Sequence, residues 1–403
     1  MIVLDRIGGW LALALPLFLL HGRGIAEALF IAVGALFVLR SGMHRDWGWL
    51  RRPWVRIGFA WWGWVILCSV PHGMTEVGQA VGAGRFLLLV AALEGWALRH
   101  DPIRAWFARL LRWAALYLAV QSLVQFAFGK NLFGWPRGAD GELTGPYQNP
   151  RAGAPLSRLL YPAVLPAMRG WGLLWLPTGV LVMVLIGQRM PLLLTILGLF
   201  VSALFLPRLR GVVLVTAIMT SLAVSALPVV SPPTFNRLVI KFTGQMENFE
   251  SSHYGLIARR AANIVVANPL LGAGFDGFRR ECENPVYFHG PGFQLGDVEG
   301  GGAAMCVQHP HNFFLQAAVE GGIPGVVLFT ALCGAWLIRL GRGLWHDPAP
   351  LRVGLFAASL IHLWPIASTT AFTSMPQSGW FFVLLGLGLA ETQHYSTART
   401  PKG

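Results

Sequence analysis

The sequence is short of charge. Only 12% of its 403 residues are Asp, Glu, Lys or Arg, whereas about 25% is usual in soluble domains. Hydrophobic residues make up 55% of the chain, and the mean hydropathy is +0.56. This balance excludes an ordinary soluble globular protein and favours a membrane protein. The 17 tryptophans agree, because Trp side chains gather where hydrocarbon meets water.

Acidic residues are scarcer than basic ones, with 18 Asp and Glu against 31 Lys and Arg. The positive excess does not indicate nucleic-acid binding, because the basic residues, nearly all arginine, cluster between apolar segments, as at 40–56 and 99–112. Such clusters are typical of cytoplasmic loops that obey the positive-inside rule. We therefore expect the lipid bilayer as a partner, no nucleic acid, and both termini in the cytoplasm.

The first apolar segment lacks a clear Ala-x-Ala cleavage site, so we interpret it as a retained span and not a cleaved signal. No internal repeat is evident. A helix needs about 20 residues to cross a bilayer, and twelve segments are candidates. They are 7–20, 25–39, 57–71, 80–97, 110–128, 153–168, 171–187, 190–206, 211–230, 312–338, 353–371 and 378–391. The sequence thus predicts an all-α polytopic membrane protein with about twelve transmembrane helices.

The candidate spans leave one long gap, 231–311. Nine spans precede it in 1–230, and three follow it in 312–391, before a predicted cytoplasmic tail at 392–403. The charge distribution places the gap on the outer face, which is periplasmic in a Gram-negative cell. Its apolar residues between Leu256 and Leu270 have amphipathic helical spacing, and Pro269 would end that helix.

Cysteine is also rare, with four residues in the whole chain. Cys68 and Cys333 fall in predicted spans, whereas Cys282 and Cys306 fall in the outer segment. Two thiols in one loop outside the cytoplasm are candidates for a disulfide. The alternative is that both are free and partly buried.

His309 and His311 flank a proline in QHPHNFFLQAAVEGGIPG (308–325). Asn312 follows, and because Asn is a good N-cap we expect a helix to begin there or just after. The positive end of that helix would disfavour a protonated imidazole, and a general base must be neutral. The plainer alternative is that both histidines cap the helix or lie in the wet interface. No third ligand stands at a fixed spacing, so we expect no metal.

Arg189 lies at the tip of a tight hairpin between two apolar runs, LVMVLIGQRMPLLLTILGLF (181–200). Its planar guanidinium suits phosphate oxygens at the membrane surface, and snorkelling towards the interface is the alternative. The outer segment adds Arg259, Arg260, Arg279 and Arg280. An outer surface this rich in arginine opposes the positive-inside trend and suggests an anionic ligand, although some of these are ordinary solvated charges.

A family resemblance starts from HNFFLQAAVEGGIPG, where His311, Asn312, Gly322 and Gly325 form the pattern His-Asn, nine residues, Gly, two residues, Gly. This pattern resembles the signature of the O-antigen ligase family, which O-antigen polymerases and protein O-oligosaccharyltransferases share. Three further stretches agree: LTGPYQNPRAGAPLS (143–157), NPLLGAGFDGFRR (268–280) and LWPIASTTAFTSMPQSGWFFVLLGLGLA (363–390). The resemblance covers roughly the C-terminal two thirds of the chain.

The resemblance implies a membrane-embedded glycosyltransferase fold of the GT-C-like kind, with one large periplasmic loop and no cofactor. It makes His311 the general base and Arg189 one ligand of a polyprenyl diphosphate. The family's second diphosphate arginine is spread here over Arg259, Arg260 and Arg279, because the residues upstream of the Pro-Leu-Gly turn depart from the family pattern.

Five more residues are candidates for substrate contact or support: His309, Asn312, Asn149, Arg151 and Glu320. Glu320 would lie more than two helical turns beyond His311, so we interpret it as structural or orienting and not as the base. A turn that re-enters the membrane explains Asn149 and Arg151 as well as substrate contact does.

The implied function is transfer of a glycan from undecaprenyl diphosphate to a lipid A-core sugar hydroxyl, inverting and metal-independent, at the periplasmic face of the bacterial inner membrane. A polymerase of the same family is the alternative, and the single dominant outer segment favours the ligase. A flippase or transporter of the lipid-linked glycan is the alternative of another class. Its mark would be ionisable residues in mid-membrane, of which the predicted spans carry few.

Overall fold

A computed structural model of the chain describes residues 2–138, 140–149, 152–288 and 303–399. These residues contain no β-strand, only an isolated bridge between Lys130 and Pro136. The α-helices are α1 (Ile2–His21), α2 (Arg23–His44), α3 (Pro53–Ser69), α4 (Met74–Ala92), α5 (Asp101–Phe128), α6 (Gly153–Val164), α7 (Trp175–Ile186), α8 (Arg189–Phe205), α9 (Arg210–Val230), α10 (Pro232–Phe235), α11 (Lys241–Glu247), α12 (His253–Ala267), α13 (Gly277–Glu281), α14 (Phe313–Gly341), α15 (Pro350–His362) and α16 (Met375–Arg399).

Six stretches of the described chain are helical, long and apolar enough to cross a bilayer. They are Leu4–His21, Arg23–His44, Met74–Ala97, Asp101–Phe128, Pro207–Val230 and Phe313–Gly341. Apolar side chains such as Leu214, Ile218 and Leu222 of α9 are more than half exposed, as lipid-facing residues are. The chain is therefore a multi-pass all-α membrane protein. A helix stands at each of the twelve predicted positions, and the full count of twelve spans stays a prediction.

One predicted span boundary was wrong. The predicted span 353–371 ends as a helix at His362, and residues 363–374 are irregular. Pro365 accounts for this, because proline lacks an N–H and disfavours helical geometry in the residue before it. At the other end, α16 continues without a break from the predicted span to Arg399, and the cytoplasmic tail 392–403 stays a prediction.

The core is built from aromatic side chains and one buried charge cluster. Trp54 of α3 lies 6.1 Å from Trp336 of α14, centroid to centroid. The Glu94 carboxylate is fully buried, and it pairs with Arg52 at 2.8 Å and with Arg339 at 2.6 Å. Two guanidiniums thus neutralise this carboxylate, because a buried charge is stable only when it is paired. These contacts fasten α14 to α3, against which it packs.

The segment between α9 and α14 contains the predicted amphipathic helix as α12, whose Ile257 and Ile264 are fully buried. Leu270 does not belong to the buried face, because the helix ends at Ala267 and Leu270 is 69% exposed in the turn that follows. Cys282 and Cys306 form a disulfide with their Cα atoms 5.7 Å apart. This bond closes the segment that leads to the start of α14.

The glycine turn after α12 lies against a kink in α14. Gly322 has a φ of 63°, which only glycine adopts easily. Around the kink, the Ile323 N–H donates to the Pro269 carbonyl at 2.8 Å and the Ala273 N–H donates to the Val319 carbonyl at 2.6 Å. The two segments are thus joined backbone to backbone, which fixes the outer segment relative to the beginning of α14.

Candidate functional site

The described residues enclose a cavity of about 480 Å³ where α6, α8, α11 and the start of α14 meet residues 366–370. A cavity of this size suits a small ligand or the head of a larger one. Its charged lining residues are Glu142, Arg158, Arg189 and Arg237, a net formal charge of +2. His311 and Asn312 also line it. The cavity is therefore suited to an anionic ligand.

His311 occupies a strained position at the mouth of α14. Its φ is +54°, which is rare outside glycine, and such strain often marks a functional site. Asn312 caps α14 as expected, its side-chain oxygen accepting from the N–H groups of Phe314 and Leu315 at 2.9 and 3.0 Å. The cap and the left-handed backbone together direct the His311 side chain onto the cavity wall.

A backbone carbonyl sets the tautomer of His311. Its Nδ1 lies 3.0 Å from the Thr369 carbonyl oxygen, and because a carbonyl only accepts, Nδ1 carries the proton. Nε2 then holds a free lone pair, and no hydrogen-bond partner for it stands among the described residues. This is the protonation state that a general base needs.

Burial is the main reason why the pKa of His311 lies below its ordinary value of 6.5. His253 lowers it further by charge, and the hydrogen bond to Thr369 acts in the opposite direction. We expected the helix end to keep the imidazole neutral, and burial is the larger cause. With its pKa below 6.5, the His311 imidazole is mostly neutral at pH 7.

His309 contacts His311 but does not line the cavity. Its Nδ1 accepts from the His311 N–H at 3.3 Å, and the two rings are 4.4 Å apart. Burial, with the charge of His311, lowers the pKa of His309 to about 4. Within the described part of the chain, neither ring belongs to a group of three or more His, Cys, Asp or Glu side chains placed to hold a metal ion.

Arg189 begins α8 and lines the same cavity. Gly187, with a φ of 77°, ends α7 and turns the chain sharply, so that the first residue of α8 faces inwards. The Arg189 guanidinium donates to the Gln245 side-chain oxygen of α11. It forms no salt bridge with any described residue, so a ligand can take its charge. The structure thus brings Arg189 and His311 to one cavity.

Arg237 is a third cavity arginine, but carboxylates already hold it. It pairs with Asp140 at 3.0 Å and with the buried Glu142. Its charge is therefore offset at salt-bridge distance, whereas Glu142 and Asp140 act on Arg189 only from beyond that distance.

The structure does not bring Arg259, Arg260 or Arg279 to the cavity wall. Arg260 is buried elsewhere, donating to the Cys282 carbonyl and stacking 4.0 Å from the Phe288 ring. Arg259 donates to the Glu250 carbonyl at 3.2 Å. Arg279 is 62% exposed and lies 3.8 Å from Asp276. These contacts favour structural roles, because each guanidinium points to its own neighbours.

The remaining candidates divide in the same way. Asn149 is exposed and does not line the cavity, and Arg151 lies outside the described residues. Glu320 is buried and accepts from Gln316 Nε2 at 2.8 Å and from the Asp276 N–H at 3.3 Å. It therefore ties α14 to the glycine turn, as a structural residue would.

Arg158, Tyr254 and Thr369 line the cavity, and our sequence interpretation missed them. The signal for Arg158 was present, because an arginine inside a predicted span is a functional candidate by default. Tyr254 lies 5.5 Å from His311, ring to ring. No sequence signal marks Tyr254 or Thr369, since chain folding alone places them beside His311.

A family model described as O-Antigen ligase matches residues 173–330. The matched range holds Arg189, α12, the disulfide and the His311–Asn312 motif. Comparison with curated proteins gives no match. This match over residues 173–330 supports the resemblance to the O-antigen ligase family.

Proposed function

We propose that this protein is a glycosyltransferase that moves a glycan from undecaprenyl diphosphate to a sugar hydroxyl of lipid A-core. In this proposal the fold is GT-C-like, segment 231–311 forms the large periplasmic loop, and the site faces the periplasm of the inner membrane. The family, whose members are ligases or polymerases of glycans, supports this class of reaction.

One observation carries the proposal: His311 and Arg189, from two different helix starts, line the same cavity. A neutral imidazole with a free Nε2 and an arginine that forms no salt bridge with a described residue are what a base and a diphosphate ligand require. The two groups come from the start of α14 and the start of α8, which are more than a hundred residues apart in sequence. Their meeting supports a single reaction centre.

The chemical step follows from these two groups. Nε2 of His311 removes the proton from the acceptor hydroxyl while that oxygen attacks the anomeric carbon of the donor. The bond between this carbon and the diphosphate oxygen breaks, and undecaprenyl diphosphate leaves with the electron pair. Arg189 stabilises the charge that grows on the leaving group. Attack from the face opposite the diphosphate inverts the anomeric carbon, and the proton on His311 then passes to water.

The cavity wall also offers a route for a lipid chain. Leu193, Met246 and Ile366 line the cavity and are 44, 57 and 77% exposed. Apolar side chains that are shared between a polar cavity and the outer surface suit a donor whose head is charged and whose tail stays in the membrane. This supports a polyprenyl-linked donor over a soluble sugar nucleotide.

A strain that lacks the protein tests the proposal through its cell-surface polysaccharide. Loss of long glycan from lipid A-core, with accumulation of lipid-linked chains, is the expected result. A single repeat unit left on the core would instead show a polymerase. If the purified protein moves no glycan between added donor and acceptor, but reconstituted vesicles translocate the lipid-linked donor, the protein is a flippase and the proposal fails.

A further inference from the structure

Arg158 is a buried cation on the wall of the cavity. It lies in α6, is 2% exposed and lines the cavity that Arg189 and His311 share. Its Nε donates to His362 Nδ1 at 2.6 Å, and its Nη1 donates to the Ala154 carbonyl at 2.6 Å. Both partners are neutral acceptors, so they orient the guanidinium without offsetting its charge.

Among the residues that the structure describes, no carboxylate lies within 4 Å of the Arg158 guanidinium. The other buried arginines face a carboxylate or an aromatic ring: Arg40 pairs with Asp5 at 3.1 Å and Arg104 with Glu391 at 3.0 Å. Arg260 and Arg352 stack on Phe288 and Tyr395, at 4.0 and 4.2 Å from the ring centroids. An uncompensated buried charge is costly. The buried charge of Arg158 therefore suggests that a ligand, and not the chain itself, supplies its counter-charge.

The carboxylate that lines the cavity does not neutralise Arg158, because Glu142 pairs with Arg237. Two more polar groups of the lining lack partners: the hydroxyls of Thr369 and Thr370 are buried and form no hydrogen bond within the described chain. Buried polar groups are normally satisfied. A cation without a carboxylate and two hydroxyls without a hydrogen bond, all lining one cavity, indicate a ligand with several acceptor oxygens and negative charge.

The surroundings of Arg158 hold it in place. His362 stacks on Phe381 with ring centroids 4.2 Å apart, and its ring lies 4.9 Å from Phe313, two residues after His311. Arg158 therefore has its geometry set before any ligand arrives, and a preorganised donor binds an anion without further reorganisation.

We propose, on the basis of the proposed function, that Arg158 is a second arginine ligand of the donor diphosphate. Its guanidinium donates to phosphate oxygens from the buried side of the cavity, while Arg189 donates from the half-buried side. The planar fork of arginine suits this contact, and two such forks can hold the two phosphates of one diphosphate. Arg158 thus takes the role that we had spread over Arg259, Arg260 and Arg279.

The test is binding of inorganic pyrophosphate to the purified full-length protein in nanodiscs, measured by calorimetry. Arg158→Gln and Arg189→Gln are each expected to weaken binding about tenfold or more, as loss of a charged hydrogen bond does. The matched control is Arg352→Gln, because Arg352 is 4% exposed, stacks on Tyr395 and does not line the cavity. This control is expected to keep the unsubstituted affinity even if it unfolds at a lower temperature.

The outcomes separate this inference from the proposed function. If only Arg189→Gln weakens pyrophosphate binding, the role of Arg158 is overturned and the proposed function stands. If neither variant weakens binding, the diphosphate site itself is overturned. Where Arg158→Gln does not fold, Arg158→Lys keeps the charge but loses the fork, and several-fold weaker binding is expected; unsubstituted affinity in this folded variant overturns the inference.

Steady-state kinetics of Arg158→Lys identify which substrate supplies the anion. A raised KM for the lipid-linked donor, with an unchanged KM for the acceptor, is expected. A raised KM for the acceptor alone would assign the anion to a phosphate of the acceptor and overturn the assignment to the donor.

Discussion

His311 and Thr369 hold each other by two hydrogen bonds. The imidazole Nδ1 donates to the Thr369 carbonyl at 3.0 Å, and the Thr369 N–H donates to the His311 carbonyl at 2.7 Å. The pair joins the start of α14 to the irregular segment between α15 and α16. It orients the ring and leaves Nε2 as the basic nitrogen, so the catalytic proposal depends on it.

The pH dependence of transfer follows from the environment of His311. Burial lowers the pKa of His311 below 6.5, so the neutral imidazole persists to lower pH than a free one would. We expect the initial rate to reach a plateau at neutral and higher pH and to fall in acid, with its acid midpoint below that of a free imidazole. An acid midpoint above 6.5 would argue against this assignment.

The same measurement needs a stability control. Burial lowers the pKa of His309 to about 4, so the unfolded chain binds a proton more readily than the folded one between about pH 6.5 and 4. The stability that the neutral ring contributes is complete above pH 6.5 and is lost as the pH falls towards about 4. Tryptophan fluorescence at each pH separates this unfolding from titration of the base.

Arg189→Ala should reduce transfer severely, by roughly 10²–10³-fold, because removal of a donor to developing charge commonly has an effect of this size. Arg189→Lys should be nearly as severe if the contact uses both arms of the fork. Initial rates with saturating acceptor measure both. Arg279→Ala is the control, since Arg279 is 62% exposed and lies away from the cavity. Equal rates for Arg189→Lys and the unsubstituted protein would exclude a bidentate contact.

Gly322→Ala should destabilise the protein. A Cβ at this position would lie 2.5 Å from the Pro269 carbonyl oxygen, and the φ of +63° is unfavourable for alanine. We expect a loss of about 1–3 kcal/mol and a lower Tm in detergent. Gly334→Ala in the same helix is the matched control, because its Cβ would meet nothing within 4 Å. Similar Tm values for the two variants would mean that the kink is not required.

Loss of the Cys282–Cys306 disulfide should lower the Tm of the outer segment. The bond closes a loop with a sequence separation of 24 residues, and closure of such a loop contributes about 3 kcal/mol through the unfolded state. The double variant Cys282→Ser, Cys306→Ser should unfold earlier and should ignore added reductant. Non-reducing mass spectrometry checks the bond directly; two free thiols in the mature protein would contradict it.

Local sequence predicts some of the site and misses what three-dimensional contacts decide. The cap at Asn312 and the turn before Arg189 follow from residue type and spacing, and the structure has both. The choice among the loop arginines cannot be predicted in this way, because only the fold shows that Arg260 donates to the Cys282 carbonyl and stacks on the Phe288 ring. Arg158 lies in an apolar helix, and only the three-dimensional structure shows that no carboxylate among the described residues pairs with it.

The irregular segment 363–374 illustrates the same limit. Its hydrophobic composition predicts a continued helix, whereas Pro365 ends it. The freed backbone then supplies the Thr369 carbonyl to His311. A sequence pattern can place a histidine at a helix start, but it cannot name the carbonyl that sets its tautomer from 58 residues away.

The most direct test of the account is glycan transfer by purified His311→Gln protein, reconstituted with lipid-linked donor and lipid A-core acceptor. Gln keeps a polar side chain but removes the base, so the rate should fall roughly 10²–10⁴-fold while the protein stays folded. His346→Gln, which changes an exposed histidine away from the cavity, should transfer glycan at the unsubstituted rate. A folded His311→Gln protein that works as fast as this control would contradict the central claim.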